Sequence, residues 1–132
     1  MRYLLDTNII SDLIHHPQGR AAQRLRQVGE DAVCTSVVVA GELRYGAAKK
    51  GSAALLRRVE DFLAGVDVAP LDAPTDAKYG AIRAALEAAG EPIGANDLWI
   101  AAHACALGVV LATANEREFR RVPGLTVENW LG

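Results

Sequence analysis

The stretch Arg2-Tyr3-Leu4-Leu5-Asp6-Thr7-Asn8-Ile9-Ile10-Ser11-Asp12-Leu13-Ile14 decides the fold. Its first four residues are a short, mostly apolar run, which predicts a strand. Asp6-Thr7-Asn8 is a helix-start cluster, and Ile9, Ile10, Leu13 and Ile14 then recur at helical spacing. A strand that passes directly into an amphipathic helix is the opening of an α/β unit. The helix is expected to stop near Pro17.

The same alternation continues along the chain. Gln18 to Val28 predicts a second helix closed by Gly29, and Ala32 to Thr35 a second strand. Ser36 is a candidate N-cap for a helix reaching about Lys50. Gly51-Ser52 breaks it, and Ala53 to Ala64 forms another helix ending at Gly65. Val66 to Leu71 predicts a third strand, with Asp72 and Pro74 opening a helix to Ala89. After a Gly90–Gly94 loop, Asn96-Asp97 opens an apolar helix that ends at Gly108. Val109 to Thr113 predicts a fourth strand, Asn115 to Arg121 a short helical turn, and Thr126 to Val127 a last short strand. The expectation is one α/β domain over residues 1–132, with a central parallel sheet of about five short strands and helices on both faces.

Length and composition agree with this. A chain of 132 residues that is 51% hydrophobic and 23% charged fits one compact domain with a real core, and its composition excludes disorder. No apolar run reaches the ~18 residues a membrane span needs. Cys34 and Cys105 both sit in apolar runs, as reduced thiols of a cytoplasmic protein would, and no signal peptide is read at the N-terminus. A net charge of −2 excludes nucleic-acid binding by bulk charge. It leaves room for a local basic patch, or for an acidic pocket that recruits a cation.

The acids fall where such a pocket would be. Ligands bind an open parallel sheet at the edge where its strands end. Asp6 follows the first strand, Glu42 lies about two turns into the helix after the second, and Asn115, Glu116 and Glu118 follow the fourth. Asp97 joins them only if the Gly90–Gly94 loop, or the helix before it, brings the next helix back to that edge. Each acid also has an ordinary structural explanation. Asp6 and Asp97 can be N-caps, Glu42 a solvated helix position, and Glu116 and Glu118 surface charges beside Arg117, Arg120 and Arg121. Together they read differently. Two carboxylates ~5 Å apart repel by roughly 3 kcal/mol at an effective dielectric of 20. A cluster of three therefore needs a proton or a cation. Oxygen ligands without His or Cys favour Mg²⁺, or Mn²⁺ as a substitute, over Zn²⁺.

Four segments carry a family resemblance. They are Leu5-Asp6-Thr7-Asn8, Val39-Ala40-Gly41-Glu42-Leu43, Pro92-Ile93-Gly94-Ala95-Asn96-Asp97-Leu98-Trp99-Ile100-Ala101-Ala102 and Thr113-Ala114-Asn115-Glu116-Arg117-Glu118-Phe119. In this order they resemble the PIN-domain nucleases, and in particular the VapC toxins of bacterial type II toxin–antitoxin systems. The ending Arg121-Val122-Pro123-Gly124-Leu125-Thr126-Val127-Glu128-Asn129-Trp130 is similar to the same group. The resemblance implies a Mg²⁺-dependent endoribonuclease, a homodimer and a cognate VapB-type antitoxin. It implies Asp6, Glu42 and Asp97 as acidic metal ligands and brings Asp97 to the strand edge. It also implies that Thr113 and Asn115 complete the pocket. Many members carry Asp where this chain has Asn115, which leaves Glu116 or Glu118 to supply the missing charge.

Asn8 is a candidate to orient a ligand through its amide, or a turn former. Arg117, Arg120 and Arg121 are candidate phosphate contacts. No His is assigned to catalysis. The activity expected is hydrolysis of RNA phosphodiester bonds, leaving 5′-phosphate and 3′-hydroxyl ends. A degenerate PIN domain that only binds a partner is the alternative raised by Asn115. A phospho-accepting receiver module is a further alternative. Asp72 and Thr113 suit it, but an acidic pair at the end of the first strand and a Lys after the last are both missing.

Overall fold

A computed structural model describes residues 2–132. Five strands, β1 (Tyr3–Leu5), β2 (Val33–Ser36), β3 (Asp67–Ala69), β4 (Val110–Ala112) and β5 (Val127–Glu128), form one sheet. Its order is β3-β2-β1-β4-β5 and every pairing is parallel. Parallel neighbours require crossovers, and the helices supply them. α1 (Thr7–His15) and α2 (Arg20–Val28) join β1 to β2, and α3 (Val37–Lys50) and α4 (Ala53–Ala64) join β2 to β3. α5 (Thr75–Ala88) and α6 (Ala95–Leu107) return to β4, and the single-turn α7 (Glu116–Phe119) leads to β5. From β1 the chain steps outward to β2 and β3, then crosses back past β1 to β4. With right-handed crossovers, that reversal puts α5 and α6 on the face opposite α1 to α4. The reversal also opens a crevice between the ends of β1 and β4, where such sheets bind ligands.

The expected elements are all present, and the differences lie at their ends. β3 is shorter than Val66 to Leu71 because Pro70 has no N–H to continue the ladder. α2 starts at Arg20, after Gly19, and a short 3₁₀ turn over Glu30–Ala32 precedes β2. α6 is capped by Gly94, so Asp97 is not an N-cap but the third residue of the helix. Its carboxylate is left for another task.

Leu4, Leu5, Ile9, Ile10, Ile100, Leu111 and Phe119 are fully buried in one continuous core. Burying each is worth roughly 1.5–3 kcal/mol. Cys34 is buried and Cys105 half-buried, and both are free thiols. Burial pushes the Cys34 thiol up to about 11, so it stays protonated and inert. Among the described residues, no helix is long and apolar enough to cross a membrane.

Buried polar groups brace the strand ends next to the crevice. The Thr35 hydroxyl donates to the Leu5 carbonyl at 2.7 Å, fixing β1 one residue before Asp6. Ser36 caps α3 by accepting from the Val38 N–H, and its hydroxyl also meets His103 Nδ1 at 2.8 Å. His103 is buried on α6, and burial holds its pKa below the usual imidazole range. Its buried Nε2 has no hydrogen-bond partner among the described residues.

Candidate active site

Asp6 has two roles. It is the N-cap of α1, its Oδ1 accepting from the Thr7 N–H at 2.8 Å. Its Oδ2 accepts from the Thr113 hydroxyl at 2.7 Å and from Asn8 Nδ2 at 3.3 Å. Asn8 in turn accepts the Ala114 N–H at 2.9 Å, which ties α1 to the loop after β4. Asp6 is only 4% exposed. Burial raises its pKa, Glu42 adds to that, and the hydrogen bonds from Thr113, Thr7 and Asn8 oppose it.

Glu42 reaches the same place from α3. Its Oε1 accepts the Thr7 hydroxyl at 2.5 Å and its Oε2 accepts Asn96 Nδ2 at 3.2 Å. Thr7 therefore touches both acids, one through its backbone and one through its side chain. Sequence reading passed over Thr7 and Asn96 as parts of helix-start clusters. The available signal was their position beside Asp6 and Asp97, with a donor on each.

Asp97 is brought in by the helical hairpin of α5 and α6, whose turn carries the start of α6 over the strand edge. The condition that spacing left open is met. The proof of position is direct: Asn96, one residue earlier, holds Glu42, and the Gly94 N–H donates to Glu118 Oε1 at 3.2 Å. Asp97 lies within hydrogen-bonding reach of Glu118. Burial first, then Glu118, Asp6 and Glu42, push its carboxyl up to about 7. Glu118 also accepts from Asn115 Nδ2 at 3.1 Å. Burial works against its ionisation, but the contacts to Asp97, Asn115 and the Gly94 N–H leave its pKa lowered. The two carboxyls oppose each other, and Asp97 is the one whose affinity for a proton is raised.

The rest of the expected set divides. Thr113 is buried, and its hydroxyl also accepts the Asn115 N–H at 3.0 Å. Asn115 contributes an amide that steadies Glu118. Glu116 does not join the cluster: it accepts from Arg120 at 2.7 Å and from Asn129 at 3.1 Å. Arg121 contacts the Pro92 carbonyl at 3.3 Å and Glu91 at 3.9 Å. Arg117 is exposed on α7. Asp72 lies apart, in a depression lined also by Leu71 and Trp99.

The structure thus gathers Asp6, Glu42, Asp97 and Glu118 from four elements. Among the described residues, no group of three or more His, Cys, Asp or Glu side chains is drawn together closely enough to hold a metal ion as it stands. The acids face one another across the strand edge instead. Their donor chemistry fits a hard divalent cation: all oxygen, anionic, and crowded enough to retain a proton near neutrality.

The chain has known relatives. Residues 3–125 match the PIN domain family. The chain is 37% identical over 131 residues, 98% of each chain, to the tRNA(fMet)-specific endonuclease VapC of Shigella flexneri. This chain belongs to the PIN-domain family, in its VapC group. Ribonuclease VapC2 of Haemophilus influenzae is 36% identical over 132 residues, 99% of each chain. The PIN fold described here also matches a crystal structure of VapBC2 from Rickettsia felis bound to a DNA fragment from their promoter. The TM-score is 0.90, with 34% identity, over 98% of this chain and 99% of that one. The VapC group is one of ribonucleases, so the acidic crevice belongs to an enzyme of the nuclease class.

Proposed function

We propose that this PIN-domain protein is a Mg²⁺-dependent endoribonuclease, the toxin of a type II toxin–antitoxin system. One observation carries the reading: Asp6, Glu42, Asp97 and Glu118 converge from four elements at the crevice between β1 and β4. Asp6, Glu42, Asp97 and, in place of an acid at Asn115, Glu118 would hold Mg²⁺ or Mn²⁺. Such a cation supplies Lewis acidity toward water and phosphate. The chain's own groups do the rest. Thr113, Asn8 and Thr7 orient the Asp6 carboxylate and partly offset the cost of its burial, and Asp97 stands against Glu118 beside the reacting position. Arg117, exposed on the same single turn as Glu118, is the arginine proposed to meet a phosphate, because Arg120 and Arg121 are engaged by Glu116, Glu91 and Pro92.

The expected products carry 5′-phosphate and 3′-hydroxyl ends. The test is RNA cleavage with Mg²⁺ or chelator, with Asp6→Asn beside the wild type. Asp6→Asn keeps an acceptor for the Thr7 N–H but removes the charge. Loss of cleavage by more than about 100-fold is expected, since outer partners of a metal site alone are worth 10–100-fold. Full activity in Asp6→Asn would reduce the acid to a helix cap. Absence of turnover by the wild type on any RNA would favour a PIN domain that only binds.

A VapB-type antitoxin is the partner proposed, supported by the toxin–antitoxin complexes among the structural neighbours. A homodimer is proposed as well. Its support is the outward face of α3, where Val37 and Tyr45 are 44% and 66% exposed and Gly41 lies between them. A monomer in sedimentation at micromolar concentration would remove that part of the reading.

A further inference from the structure

Glu42 is the one acid of the site with each carboxylate oxygen held by a different neutral side chain. The Thr7 hydroxyl donates to Oε1 at 2.5 Å, and Asn96 Nδ2 donates to Oε2 at 3.2 Å. These donors come from two different elements, Thr7 from α1 after β1 and Asn96 from the first turn of α6. Glu42 itself stands on a third element, two turns into α3. We propose that Thr7 and Asn96 are positioning residues that clamp the Glu42 carboxylate, fixing its strength and selectivity as a cation ligand. The proposal rests on the metal-dependent reading given above.

The physical argument has three steps. Glu has three side-chain torsions, and a half-buried Glu42 with no donors would turn away from Asp6 and Asp97 to relieve like-charge repulsion. A neutral donor on each oxygen holds the carboxylate plane in place without adding charge. That is how outer partners tune metal ligands, and their loss typically weakens metal affinity or activity by 10–100-fold. Each hydrogen bond also occupies one lone pair on its oxygen. Each oxygen keeps a second lone pair for a cation. With both oxygens held, however, the carboxylate cannot pivot to present itself to a large, many-coordinate ion such as Ca²⁺. This suits smaller cations that take fewer, more strictly directed ligands. The clamp therefore selects Mn²⁺ or Mg²⁺ over Ca²⁺.

The arrangement also accounts for a local oddity. Asn96 is an exposed residue in a first helical turn already capped by Gly94, where nothing in the helix requires its amide. Its side chain reaches to Glu42, 54 positions earlier in the chain.

The test is calorimetric titration of the full chain with Mn²⁺ alone and with Ca²⁺ alone. Wild type, Thr7→Val, Thr7→Ser, Asn96→Ala and Asp6→Asn are compared, with folding of each checked by circular dichroism. The expected result is Mn²⁺ binding weakened about 10-fold or more in Thr7→Val and Asn96→Ala. Ca²⁺ affinity should change less, so the preference for Mn²⁺ narrows. Thr7→Ser, which keeps the hydroxyl, should restore near wild-type binding. Wild-type affinity for Mn²⁺ in both folded Thr7→Val and Asn96→Ala, with binding lost in Asp6→Asn, overturns the clamp and leaves the nuclease reading standing. Failure of the wild type to bind Mn²⁺ overturns both.

Discussion

The two halves of the acidic crevice are built on different principles. Asp6 and Glu42 are each held on both oxygens by neutral donors: Thr7, Asn8 and Thr113 for the first, Thr7 and Asn96 for the second. Asp97 and Glu118 lean on each other, one with its pKa raised and the other with its pKa lowered. One half is wired in place, and the other is balanced by titration. A crevice made only of the first kind would keep its geometry and accumulate repulsion. One made only of the second would neutralise itself near pH 7.

The largest test of this contrast compares two neighbouring glutamates. Glu118→Gln removes half of the Asp97–Glu118 pair, and RNA cleavage is expected to drop 10–100-fold. Glu116→Gln, two residues away on the same turn but turned toward Arg120 and Asn129, should leave cleavage near wild type. Equal losses in both would mean that α7 acts through its overall charge, not through one aimed carboxylate.

Next comes the wired half. Thr113→Val keeps the shape of a fully buried side chain but removes the hydroxyl that donates to Asp6. Denaturant unfolding should show a loss of about 2 kcal/mol, the usual range for a hydrogen bond to a charged group. A change well under 1 kcal/mol would mean that Asp6 draws its support elsewhere.

The smallest effect is on stability against pH, without divalent cation. Asp97 has a carboxyl raised to about 7, so between about pH 4 and 7 the folded protein keeps a proton that the unfolded chain releases. Stability from this group is greatest at low pH and falls as pH rises through that window, then levels off. Asp6, also raised, acts in the same direction. His103 opposes them: its lowered pKa means stability lost as pH falls below the usual imidazole range. The melting curves of wild type and Asp97→Asn should therefore diverge by a few degrees between pH 5 and 8, the wild type declining more steeply. Parallel curves would place the raised affinity for a proton somewhere other than Asp97.

The sequence disclosed the fold because its signals are local. Ser36, Gly51, Gly65, Gly94 and Gly108 bound their helices through capping chemistry that neighbouring residues can read. Asp6 and Glu42 were legible from their place after strands. Spacing alone left Asp97 open, because its position depends on how α5 and α6 fold back, which no local pattern encodes; the family resemblance is what named it. The choice between Glu116 and Glu118 needed the pitch of one helical turn anchored by Phe119. Thr7 and Asn96 stayed hidden because their partner, Glu42, is 35 and 54 residues away.

Phe119 has a consequence of its own. It is wholly buried under α7, immediately after Glu118, and Thr113 is pinned to Asp6 six residues before it. The segment between these two anchors is a ruler. Its length fixes where position 118 points. One residue added or deleted there would rotate the turn by about 100° and swing position 118 out over open solvent, with the aromatic plug still seated beneath.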